Sequence, residues 1–136
     1  MKEGLAIGAS AEQSLVTLPD WAITFDGPPQ VSVLSTPALV EQLEVISNAV
    51  LEPYFETGEA SVGTIVNVTH LAPTPIGMTI TVRASVTAID RRRVTFYVEA
   101  VDQREKIAEG IHERFVVDLA RFAQRLANKN GKPLSL

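Results

Sequence analysis

Three side chains in this sequence could carry acid–base or nucleophilic chemistry: His70, Glu44 and Thr36. His70 closes a stretch rich in Val, Ile and Thr and shares its parity with Val66 and Val68, so it is partly buried if that face meets a core. An imidazole there can serve as general acid or base near neutral pH. The plainer reading is a core or edge histidine with both ring nitrogens satisfied. Glu44 has Val40, Ser47 and Leu51 as its i−4, i+3 and i+7 neighbours, and so borders an apolar helical stripe instead of opposing it. Such a carboxylate can act as base or nucleophile, or can be a solvated helix former. Thr36 precedes Pro37 and reads as a helix N-cap with proline at the first helical position. A helix start also gathers orphan N–H groups able to meet an anion.

Four further features bear on a site. Gly63 lies inside a strand pattern, which signals a bulge or a close approach to the backbone. Arg114, in His112-Glu113-Arg114, shares the parity of Val116; as a charged strand residue it suits a solvated face. The run Arg91-Arg92-Arg93 suits a solvated hairpin turn, and could alternatively meet the phosphates of a nucleotide-bearing ligand. Glu41 and Glu52 have ordinary places in the first and last helical turns.

The elements that must hold these residues are legible from periodicity. Leu39, Leu43, Ile46 and Val50 lie on one face of a helix expected over about 37–53, ended by Pro53 and Gly58. Ser14 to Thr17 and Ala22 to Phe25 suit short strands, and Asp26-Gly27-Pro28-Pro29 breaks any regular element. Main strands are expected over about 60–71, 79–89, 93–102 and 106–117. In the second, Ile80, Val82, Ala84, Val86 and Ala88 point one way; in the third, Val94, Phe96, Val98 and Ala100 do. The fourth sets Ile107, Ile111, Phe115 and Val117 against Ala108, His112, Arg114 and Val116. A short helix is expected from Asp118 to Lys129, with 130–136 frayed.

One helix with one apolar stripe, followed by long antiparallel strands with one apolar face, can bury both if the sheet wraps the helix. That is an α+β hotdog fold, expected as a single domain over 1–136.

Composition narrows the chemistry. At 136 residues, with 46% hydrophobic and 21% charged, the chain suits one self-sufficient core. Without cysteine there is no disulfide, no thiolate nucleophile and no Cys-ligated zinc, and a reducing cytoplasm suits it. A net charge of −4 argues against general attraction to nucleic acid. No window has the unbroken apolar length of a membrane span, and the start lacks a secretory h-region. The expectation is a cytoplasmic protein with no membrane or nucleic-acid partner.

Three stretches carry a family resemblance: MKEGLAIG, LEPYFETGEASVGTIVNVTHLAPTPIGMTITV and IAEGIHERFVV. The sequence resembles the fluoroacetyl-CoA thioesterase family of hotdog proteins over most of its length. The resemblance implies hydrolysis of a small acyl-CoA to free acid and CoA. It puts the family's catalytic threonine on Thr36, its helix glutamate on Glu44 and its strand-ending histidine on His70. Gly63 and Arg114 fall on its substrate-contacting glycine and arginine. It also implies a homodimer or dimer of dimers with sites at the interface, and no metal or cofactor beyond the CoA of the substrate. Glu44 would attack or activate water, Thr36 would orient Glu44, and His70 would relay protons.

One departure matters. The family's namesake carries a longer, phenylalanine-bearing lid before the helix, whereas here Asp26 to Val33 is short and lacks aromatics, leaving Phe25 nearby. Fluoroacetyl selectivity is therefore not expected to carry over. The rival readings are a non-catalytic acyl-CoA-binding or regulatory hotdog protein, and a hotdog hydratase, whose acid–base histidine has no counterpart near this helix.

Overall fold

Alternation and helical stripe meet as the sequence leads one to expect. The computed structural model describes residues 1–132. In chain order the elements are β1 (Ser10–Val16), β2 (Ala22–Phe25), β3 (Val31–Leu34) and α1 (Thr36–Leu51), followed by β4 (Glu59–His70), β5 (Thr79–Asp90), β6 (Arg93–Val101), β7 (Lys106–Asp118) and α2 (Leu119–Asn130). One antiparallel sheet runs β1-β5-β6-β7-β4, and β2 pairs with β3 in a separate ribbon. The sheet curls around α1, which gives the hotdog fold.

The core lies between them. Leu39, Leu43, Ile46 and Val50 of α1 pack with Ile80, Val82, Ala84 and Val86 of β5 and with Val94, Phe96, Val98 and Ala100 of β6. Removing each of the Val, Leu, Ile and Phe side chains from water stabilises the fold by about 1.5–3 kcal/mol before conformational entropy is counted. No helix among the described residues is long and apolar enough to cross a membrane.

Four local expectations need correction. Ser35, not Thr36, caps α1: its hydroxyl accepts from the Ala38 N–H at 3.2 Å, and Thr36 is already helical. Ala88 is exposed, because the β5–β6 register shifts between Val86 and Ala88 and turns the strand over. On β7 the inward face is His112, Arg114 and Val116, while Ile111 is 40% exposed. The expected frayed end begins too early, since Asn130 still belongs to α2; residues 133–136 lie outside the described ones. In addition, β3 has no counterpart among the expected strands. Its four residues are too few for a pattern, and only pairing with β2 identifies them.

β4 is an edge strand. It pairs with β7 along one side, and among the described residues no strand covers its other side. Its middle is apolar and exposed, with Ile65 at 49% and Val66 at 46%.

Candidate active site

The residues singled out in the sequence gather into two groups. The first forms where α1 starts and β4 ends. With Ser35 taking the cap, the Thr36 hydroxyl is free to meet His70, and its Oγ1 lies 2.8 Å from the ring Nδ1. The His70 Nε2 is buried and has no hydrogen-bond partner among the described residues. A buried nitrogen left unpaired costs about 1–3 kcal/mol, and such atoms mark places where something else is meant to bind or react. Beside the pair opens a cavity of about 440 Å³, lined by Ile23, Phe25, Val33, Thr36, His70 and Leu71.

The second group forms midway along α1. Glu44 faces Gly63 of β4 and Arg114 of β7, and the Arg114 guanidinium lies 3.6 Å from Glu44 Oε2. The β4–β7 register shifts between Gly63 and Ile65, the bulge the sequence suggested. Glycine leaves room there for the carboxylate: a Cβ would stand 2.9 Å from Glu44 Oε2 and 3.2 Å from His112 Cε1, so Glu44 would have to shift. Arg114 is only 7% exposed. Burial pulls its guanidinium below the usual value, while the neighbouring Glu44 carboxylate opposes the shift. Since arginine does not give up its proton in proteins, its donors must be met. Nε donates to Ser61 Oγ at 2.7 Å and NH2 to the Ser61 carbonyl at 3.0 Å. Ser61 Oγ in turn donates to Asn48 Oδ1, one turn beyond Glu44 on α1.

Within one protomer the two groups stay apart. Thr36 and Glu44 are eight helical residues apart, about 12 Å of rise. Gly63 and His70 are seven strand residues apart, about 23 Å in extended chain. Thr36 bonds His70 and does not reach Glu44 of its own chain. Arg91, Arg92 and Arg93 sit on the β5–β6 hairpin, where Arg92 pairs with Glu59 at 2.9 Å and Arg93 with Glu113 at 3.7 Å. For these two, the solvated-hairpin reading suffices.

Three participants are not among the residues expected from sequence: His112, Ser61 and Asn48. Two of them had a signal. Asn48 lies four residues beyond Glu44 on the same helical ridge, and His112 lies two residues from Arg114 on the same strand face.

Comparison with known proteins shows the family of the chain. The sequence profile of a family described as fluoroacetyl-CoA-specific thioesterase, FlK, matches residues 16–120. A fluoroacetyl-CoA thioesterase of Streptantibioticus cattleyicolor is 33% identical over 135 residues, spanning 95% of this chain and 97% of that protein. The solved structure of the fluoroacetyl-CoA thioesterase FlK is similar at a TM-score of 0.85 and 31% identity, covering 96% of this chain and 100% of its own. A hot-dog-like protein from Thermanaerovibrio acidaminovorans shares the fold at a TM-score of 0.84 and 24% identity, covering 93% of this chain and 94% of its own. A family profile that matches most of the chain and a relative 33% identical over nearly all of it lead to one conclusion: the chain belongs to the fluoroacetyl-CoA-specific thioesterase family, a family of thioester hydrolases.

Proposed function

We propose that this chain hydrolyses a small acyl-CoA to the free acid and CoA, as a dimer whose sites join Thr36 and His70 of one protomer to Glu44 of the other. The observation that carries this reading is the division of the constellation within one chain, combined with an open β4 edge running between its two halves. A strand edge with exposed Ile65 and Val66, and without proline or charge from Ser61 to Thr69, invites pairing with another strand. If two β4 strands pair antiparallel about a two-fold axis between Val66 and Asn67, Gly63 lies opposite the partner's His70. Glu44 then faces the Thr36–His70 pair of the other chain, on the helix side of the joined sheet.

In such a site Glu44 supplies the carboxylate, as a base toward water or as the nucleophile on the thioester carbonyl. His70, steered through Nδ1 by Thr36, holds the attacking water or moves its proton to the departing thiolate. Oxyanion donors are better sought at the Gly63 bulge than at the helix start. There, the Ala38 and Leu39 N–H groups already donate to Ser35, at 3.2 and 3.0 Å. Arg114, tied down by Ser61, pairs with the Glu44 charge and is not free to reach out to the CoA.

The acyl group is assigned to the cavity beside Thr36 and His70, whose apolar lining includes Phe25 and Leu71. The β2–β3 ribbon supplies Ile23, Phe25 and Val33 to the cavity wall, and Phe25 is the ribbon's one aromatic side chain. The substrate is therefore a small acyl-CoA without a fluoroacetyl preference, handled in the cytoplasm. Release of free thiol from a panel of short, branched, aromatic and long acyl-CoAs tests the reading. Turnover of at least one short member supports it; tight binding without turnover across the panel replaces it with a binding role.

A further inference from the structure

We propose that His112 is a positioning residue that holds the Arg114 guanidinium beside Glu44, and that it does so only as the neutral ring with its proton on Nδ1. The inference deepens the hydrolase reading above and rests on it for its kinetic consequence. His112 is 1% exposed, lies outside the Thr36/Glu44/His70 set, and has two polar contacts that fix each other's sense. Its Nδ1 is 2.7 Å from the Ile65 carbonyl, the first paired residue after the β4 bulge. A carbonyl only accepts, so Nδ1 carries the hydrogen. Its Nε2 is 3.2 Å from Arg114 NH1. A guanidinium only donates, so Nε2 must offer a lone pair. Only the neutral Nδ1–H tautomer satisfies both.

This arrangement gives NH1 two neighbours, His112 Nε2 at 3.2 Å and Glu44 Oε2 at 3.6 Å. The remaining contacts of the guanidinium go to Ser61, so the histidine is what fixes NH1 against the carboxylate. The ring is itself held from behind by Phe96 of β6, stacked at a centroid distance of 6.4 Å and 28° between planes. The charged groups around it are Arg114 and Glu113 on β7 and Glu44 on α1, while β4 presents the Ile65 carbonyl and β6 only Phe96. Burial is the main cause that lowers the His112 pKa, the Arg114 charge adds to it, and the Ile65 carbonyl and the two carboxylates oppose it. Protonation would turn Nε2 into a donor pointing at another donor and release Arg114 from its place.

Two substitutions separate positioning from packing. In His112→Gln the amide oxygen reaches the place of Nε2 and can accept from Arg114; in His112→Asn the short amide can serve Ile65 but not Arg114. Both lose the ring and the Phe96 stacking, so both lower the melting temperature. We expect His112→Asn to lose about 10²-fold in kcat with little change in KM, the scale of a small misplacement in a catalytic site. His112→Gln should recover most of that loss. Equal kcat values in the two variants, tracking their melting temperatures, would overturn the proposal. Long-range ¹H–¹⁵N spectra of the ring nitrogens read the tautomer without any turnover, from about pH 8 to 6, where a free imidazole titrates. A bare Nε2 and protonated Nδ1 throughout support it; an Nε2–H ring, or titration at the free value, overturns it whether or not the protein proves to be a hydrolase.

Discussion

The Thr36 hydroxyl reaches His70 Nδ1 at 2.8 Å because its neighbour Ser35 has already taken over the capping of α1. Two adjacent hydroxyl residues thus make two different bonds, one within the helix cap and one to His70, and on the proposed reading their loss should be felt in different measurements. Ser35→Ala should lower unfolding free energy by about 1 kcal/mol, a typical capping contribution, with thiol release little changed. Thr36→Ala should do the reverse, keeping stability but losing about 10²-fold in kcat as His70 loses its orientation. Urea denaturation and acyl-CoA turnover on both variants test this; a Thr36→Ala enzyme with parental kcat contradicts it.

Gly63 is a second point where space and chemistry meet. A methyl group there would stand 2.9 Å from the Glu44 carboxylate and 3.2 Å from His112. Gly63→Ala must therefore displace the carboxylate, and a shift of about an ångström in a reacting group costs on the order of 10²-fold in rate. The expected result is a folded protein with depressed kcat. Unchanged turnover would mean that the Glu44 carboxylate tolerates displacement and is not the reacting group.

Stability should depend on pH through His112. Its pKa is lowered in the fold, chiefly by burial, whereas in the unfolded chain it returns to about 6.5. Below about pH 6.5 the unfolded chain therefore binds a proton that the folded chain refuses, and stability declines as pH falls toward the depressed folded value. The slope from this one group is no more than about 1.4 kcal/mol per pH unit. Urea titrations between about pH 7.5 and 5 should show a steeper decline for the parent than for His112→Gln; identical slopes would remove His112 from the account.

On the proposed reading, the short segment between β2 and β3 sets the selectivity. With Phe25 as the one phenylalanine among the described residues of the cavity wall, fluoroacetyl-CoA should be preferred over acetyl-CoA by less than about tenfold in kcat/KM, the discrimination that a loosely complementary contact supplies. A preference of several orders of magnitude would show that the wall recognises fluorine after all.

Much of this fold is legible in alternation, because Ile80 to Val86 and Val94 to Ala100 obey it and the stripe of α1 has one obvious mate. Sequence and structure diverge where apolarity and burial part company. On β7, Ile111, Phe115 and Val117 are more hydrophobic than His112, Arg114 and Val116, yet the second set faces the helix, because Ser61, Ile65 and Glu44 supply the partners that two polar side chains need. Ser35 and Thr36 are equally suited by type to cap α1, and only the Ala38 N–H decides between them. The spacing from Thr36 to Glu44 already implies about 12 Å along a helix. What the pattern does not contain is the pairing of Thr36 with His70 and of Glu44 with Arg114, and so the division into two groups becomes visible only with the strands in place.

That separation is tested most directly by mixing two inactive variants, Glu44→Ala and His70→Ala, under conditions that let subunits exchange. If each site draws Glu44 from one chain and His70 from the other, a mixed dimer contains one intact site, and random exchange restores about one quarter of parental thiol release. If both residues serve the same site from the same chain, no mixed dimer is intact and the mixture stays as inactive as its components.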